Sequence, residues 1–249
     1  MLKFHAVLLC ASSVFAAPVP ARPASLDDAE KARRLQLAFK AEPGPQTASR
    51  VRAMALSLGP KAVPGLITVM KDATFPEKNR WHATMLLGQI MGKKSAPFIA
   101  RFSEHPAWMM RVASLKALAA LGMREYHAVY ARALRDSSLI VRVQALDNIT
   151  RMDIRELAPN VWGMMYDQTN YSGDAGKRQR TSIVRSVIRT VGALKYEKAR
   201  APMARLIQKP RYADLAEDLD FSLEKITGKV SPQGTEAQRA FWAKTVAIR

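Results

Sequence analysis

The amino-acid sequence predicts an all-α fold, an α-α superhelix or helical solenoid of about five hairpins with capping helices at its ends. Three observations carry this expectation. Arg80, Arg111 and Arg142 stand 31 residues apart, and Leu87, Leu118 and Ile149, then Ile90, Leu121 and Met152, then Pro97, Ala128 and Pro159, follow them in the same step. Within the segments, apolar residues recur at steps of three and four, as in Leu115, Leu118 and Leu121, so each helix has one stripe to bury. Glycine and proline punctuate the chain where one helix must stop and the next begin. A repeat of this length in helical period means stacked hairpins, none of which can bury its apolar face alone.

The elements follow in order. Residues 1–16 read as an export signal: Lys3 and His5 make a short polar start, Ala6 to Phe15 an apolar run, and Val14-Phe15-Ala16 a small-residue cleavage site. Residues 17–45 comprise a Pro/Ala-rich tether and an N-terminal helix, which begins at a capping box on Ser25 and Asp28 and runs to about Ala41. The repeat domain covers 46–228. Its hairpins pair 47–58 with 61–71, 76–91 with 95–103, 107–121 with 125–135, 139–152 with 155–166, and 178–194 with 198–208. Pro64, Pro97, Pro159 and Pro202 fall near the starts of the second helices, where a missing N–H costs nothing. Between units four and five the step stretches, and the excess falls on residues 168–176, a polar, glycine-containing loop. A helix over 212–225 ends at Gly228. Residues 229–249 hold a C-terminal capping helix opened by a second capping box, Thr235 to Gln238, with Phe241 and Trp242 covering the last open face.

Charge bounds the partners. The chain has 39 Lys+Arg against 21 Asp+Glu, a net +18, and cleavage after Ala16 removes only Lys3 to leave +17. Such a balance attracts acidic partners: nucleic acid, anionic lipid, envelope polymers or an acidic protein. The single cysteine, Cys10, lies in the export segment. Bacterial lipoboxes place Gly, Ala or Ser before the acylated cysteine, where this chain has Leu9, so Cys10 is not read as a lipid anchor. Without it no disulfide, thiolate metal site or cysteine nucleophile is available. That suits a periplasmic or secreted location.

No cofactor, metal or small-molecule substrate is expected. His82, His105 and His127 have no partner at ligand spacing, and there is no phosphate loop, nucleophile elbow or His-Glu-x-x-His. Trp81, Trp108 and Trp162 fall in different phases of the repeat and read as core residues rather than base-stacking platforms. A second basic column is more suggestive. Lys93, Arg124 and Arg155 repeat at 31 in the turns entering the second helices, and Lys61 and Lys198 extend the column with irregular steps. Rungs about 10 Å apart exceed a Debye length of about 8 Å, so the column costs little in self-repulsion and could attract a polyanion.

The units resemble HEAT repeats, including the shorter bacterial kind. That family tends to place an Asp at the close of one unit and an Arg six residues later, as Asp136 and Arg142 stand here; Asp167 occupies the same place one unit on. Asp72 before Arg80 and Glu104 before Arg111 match at looser spacings. The resemblance covers residues 47–228 and implies that Arg80, Arg111, Asp136, Arg142 and Asp167 form a structural ladder tying adjacent units; the alternative is that the arginines are anion ligands. It also implies a protein that works by presenting a surface. The leading expectation is an exported, non-catalytic scaffold or adaptor that binds another envelope protein. The alternative is a polyanion-binding module using the basic edge on anionic lipid, acidic glycan or nucleic acid. A third reading, an enzyme like the HEAT-like DNA glycosylases or bilin lyases, finds no mappable motif, and an export signal places the chain away from chromosomal DNA.

Overall fold

The computed structural model describes residues 27–172, 179–180 and 182–246. The proposed export segment with Cys10, the tether and Ser25 lie outside them. The fold is all-α. The first helix, α1 (Asp28–Ala38), is followed by α2 (Pro45–Leu58), α3 (Val63–Lys71), α4 (Glu77–Met91), α5 (Ala96–Arg101), α6 (Trp108–Ala120) and α7 (His127–Ala133). Then come α8 (Leu139–Arg151), α9 (Ala158–Gly163), α10 (Ile183–Ala193), α11 (Arg200–Ile207), α12 (Ala216–Thr227) and α13 (Thr235–Thr245).

Packing runs mainly from neighbour to neighbour. The long first helices form one layer, α2 on α4, α4 on α6, α6 on α8, α8 on α10 and α10 on α12. The shorter second helices cover one side of it, and each sits chiefly on the first helix that follows: α3 on α4, α5 on α6, α7 on α8, α9 on α10 and α11 on α12. The apolar stripes meet in one continuous core from Leu35 to Trp242. Short polar side chains of the first helices reach back to carbonyls of earlier helices, which keeps these buried groups satisfied. Asn79 donates to Phe39 at 2.8 Å, Ser114 to Ile99 at 2.8 Å, Asn148 to Leu115 at 2.9 Å and Ser222 to Ile188 at 2.9 Å.

Turn chemistry explains how the units close. After α6 the amide of Met123 bonds the Leu118 carbonyl and Gly122 takes φ +67°, the left-handed cap that glycine adopts without strain. Two later turns repeat this hydrogen bond, Ile154 to Ile149 and Tyr196 to Val191, but put Asp153 (φ +48°) and Lys195 (φ +53°) at the left-handed position. The turn persists where its sequence signal fades, because tertiary packing holds it. Gly59, at φ +56°, likewise folds the run Pro45–Lys71 into α2 and α3. The run's most apolar window reaches a mean hydropathy of 1.3, but neither helix has the length to cross a bilayer.

Three local expectations change. The N-terminal helix is capped by Asp27, whose carboxylate accepts the Glu30 amide at 2.7 Å, and it stops at Ala38 rather than Ala41. The box at Thr235 does not form: Gly234 is the cap residue, and Gln238 instead donates to Asp220 at 3.0 Å. The insertion is not wholly a loop. A 3-10 turn at Gln168–Asn170 leads into a two-residue strand, β1 (Tyr171–Ser172), paired antiparallel with β2 (Gln179–Arg180), and residues 173–178 lie outside the described ones. At the C-terminal end α13 packs on α11, while the fully buried Trp242 donates its indole N–H to Asp220 of α12 at 2.5 Å.

Candidate functional site

The three periodic arginines open α4, α6 and α8, and two of them, Arg80 and Arg142, are buried. Their partners follow a register that sequence spacing did not reveal. Arg111 forks onto Asp136, 25 residues ahead, with both nitrogen–oxygen distances at 2.7 Å, and also donates to the carbonyls of His105 (2.9 Å) and Pro106 (2.8 Å). Asp136 therefore pairs backwards, with the preceding unit, and offers Arg142 only its backbone carbonyl at 2.6 Å. Arg142 continues to the Thr169 carbonyl of the next turn, and its charge helps hold Asp167 below the usual carboxylate range, after the Thr169 hydrogen bonds. Arg80 donates to the Met70 carbonyl at 3.1 and 2.9 Å and stands 3.0 Å from His105 Nε2, again 25 residues ahead.

The rung missing from the sequence reading is therefore His105, not Glu104; Glu104 instead pairs with Arg132 of the next unit. Its signature was local. Asp72, His105, Asp136 and Asp167 each accept the amide two residues on, from Thr74, Ala107, Ser138 and Thr169 respectively. This side chain stabilises the turns before α4, α6 and α8 and, at Asp167, the 3-10 turn before β1, and in the last three it also faces the previous unit's arginine. Asp72 lies beside no earlier ladder arginine and is held below the usual range first by the Thr74 amide.

Histidine fits this position poorly. Nδ1 accepts the Ala107 amide at 3.0 Å while Nε2 meets the Arg80 guanidinium, yet a neutral imidazole has one acceptor nitrogen and an imidazolium has none. Burial first, and then Arg80, push His105 below the ordinary histidine value of 6.5. As pH falls through that value, the unfolded chain takes up a proton that the folded chain resists, so stability is full above about pH 6.5 and declines below it. His82 titrates in the same direction, by burial and then Lys78. A carboxylate would accept from both donors. His105→Asp is therefore expected to raise the urea midpoint, and by more at pH 5 than at pH 7.5. An equal gain at both values would contradict this account.

The basic column does occupy successive hairpin turns, but most of it is engaged by the protein itself. Lys61 pairs with Asp28 of α1. Arg155 chelates the Asp153 carboxylate at 2.9–3.0 Å, and Arg124 donates to the Asp153 carbonyl at 3.2 Å with Glu156 4.0 Å away. Arg124 and Arg155 thus converge on the Asp153 turn inside unit four, Arg124 reaching it from unit three. Lys93 and Lys198 are exposed and make no ion pair among the described residues.

A different face carries exposed apolar side chains and open clefts. On the outer side of the first-helix layer, Ile140 and Val143 of α8 remain 52% and 42% exposed. Beside them a cleft of about 410 Å³ runs between α8, α10 and α12, lined by Val143, Leu146, Thr150, Arg189, Ala193 and Phe221. Two further clefts, of about 310 and 330 Å³, share Arg52, Met85 and Gln89 over α2, α4 and α6. Trp108, expected in the core, is 40% exposed at the start of α6, and the exposed Leu139 holds the same repeat position 31 residues on. Sequence reasoning missed this face because its residues keep the same helical period as the core stripe. No protein-family model matches the chain, and no curated protein matches it in sequence.

Proposed function

We propose that the chain is a non-catalytic scaffold of HEAT-like hairpins that binds a partner protein, in the cell envelope if the N-terminal segment directs export. The observation that carries this reading is the exposed apolar pair Ile140 and Val143 beside the cleft between α8, α10 and α12. Exposed apolar side chains grouped at a concave surface mark interaction sites, whereas isolated ones do not. The polyanion reading loses support from the same geometry, since Lys61, Arg124 and Arg155 are matched by Asp28, Glu156 and Asp153. Neutralised cations release few counterions from a polyanion.

A photo-crosslinking residue at position 140 is expected to trap one predominant protein in envelope extract, while the same residue at position 93 traps none. Charge reversal at Lys93 and Lys198 is expected to leave that capture unchanged. Loss of capture on reversal, together with salt-sensitive binding to heparin or anionic vesicles, would instead identify the polyanion module.

A further inference from the structure

The character of the first-helix face narrows the partner. Because units three and four repeat at 31, Met109, Val112, Lys116 and Ala120 of α6 lie beside Ile140, Val143, Asp147 and Arg151 of the adjoining α8. The apolar line continues over the cleft to Phe221 of α12. Around it stand cations. The Arg189 guanidinium lies 5.1 Å and the Lys225 ammonium 5.4 Å from the centre of the Phe221 ring. Lys78 and Lys116 are exposed, and neither they nor Lys225 form an ion pair among the described residues. The carboxylate on the α8 part of this face, Asp147, is already bound to Arg151 at 2.8 Å. Asp218, which serves Arg185 and Arg189 at 2.7 and 2.5 Å, is buried beneath them. On α12 the exposed Glu217, one turn before Phe221, also forms no ion pair among the described residues, so the face presents apolar side chains with more unpaired positive charge, at Lys78, Lys116 and Lys225, than negative.

On the scaffold reading above, we infer that this face takes an acidic amphipathic helix of a partner protein. The apolar side of such a helix would cover Ile140, Val143 and Phe221, and its carboxylates would lie over Lys116 and Lys225. Three steps between packed helices of about 10 Å each carry the face about 30 Å from α6 to α12, the length of a helix of about 20 residues. Apolar anchors in a desolvated centre with charges at the rim is the arrangement that gives specificity to helix-in-groove recognition.

The test uses the full chain and three labelled peptides of about 20 residues. One is an amphipathic helix with leucines on one face and glutamates on the other; the second replaces every glutamate by lysine; the third is a scramble of the first. Fluorescence anisotropy is expected to show binding of the acidic helix alone. Val143→Asp is expected to weaken it about tenfold or more, as removal of a central apolar anchor does. Lys116→Glu with Lys225→Glu is expected to weaken it and to shift preference toward the lysine peptide. Both variants change exposed side chains, and thermal melts establish that they remain folded. Equal binding of the acidic and lysine peptides, or an unchanged affinity in Val143→Asp, would overturn the inference. A crosslink from position 140 to a second copy of this chain would also overturn it. If position 140 traps a distinct protein yet the acidic helix gains no preference, only this inference falls; if position 140 traps nothing, the scaffold reading falls as well.

Discussion

Arg111→Ala is expected to destabilise the fold by about 3 kcal/mol, because it breaks a nearly buried ion pair and leaves the partner carboxylate behind. Arg111 and Asp136 have side chains only 12% exposed each, and the guanidinium makes four hydrogen bonds, two to Asp136 and two to carbonyls of the turn before α6. Its removal leaves Asp136 with the Ser138 amide alone among its donors. For a chain of this size about 3 kcal/mol corresponds to a fall in melting temperature of about 6–12 °C. Arg111→Lys should recover only part of this, since an ammonium cannot reproduce the two-pronged contact. Thermal melts of Arg111→Ala, Asp136→Ala and the double variant would measure the coupling. A cost for Arg111→Ala within about 0.5 kcal/mol, the scatter of ordinary surface changes, would show that the ladder does not tie the units.

Gly192→Ala is the second large effect, with a net loss expected near 2 kcal/mol. Alanine is the better helix former by about 1 kcal/mol, so propensity alone predicts a gain. Packing decides otherwise. A Cβ at Gly192 would come within 2.6 Å of the Cα, Cβ and Oγ of Ser222, and a backbone neighbour cannot turn aside. Helices α10 and α12 would have to separate, straining the Ser222–Ile188 hydrogen bond and the pairs of Asp218 with Arg185 and Arg189. Overpacking of this kind costs about 1–3 kcal/mol and occasionally more. Gly163→Ala serves as the control: nothing lies within 4 Å of its Cβ, so that variant should be neutral or slightly stabilised. Equal melting temperatures for the two variants would contradict the close approach of α10 and α12.

Much of the fold was legible because helix and turn signals are local. Leu115 and Leu118 announced a buried stripe, Pro64 and Pro97 marked helix starts, and Gly228 ends α12 in the left-handed conformation at φ +70°. The ladder was half legible. The arginines repeat in sequence, but their partners lie one turn of chain further on, and a histidine replaces the carboxylate at residue 105. Acid spacing alone therefore points to Glu104 and to Asp136 with Arg142, whereas the side chains pair Glu104 with Arg132 and Asp136 with Arg111. The basic column looked free because its counterions, Asp28, Asp153 and Glu156, are brought to it by folding.

By itself the sequence determined an all-α chain of repeated hairpins, since periodicity, capping and backbone restriction act within a few residues of each position. Only the tertiary structure decided which charges neutralise one another and which apolar side chains stay uncovered. Leu146 and Val143 stand one helical turn apart on the same helix and both line the cleft, yet Leu146 is buried while Val143 stays 42% exposed. Burial and charge pairing depend on what the neighbouring unit places opposite a residue. That is set by the stacking of α6, α8, α10 and α12 rather than by any single stretch of chain.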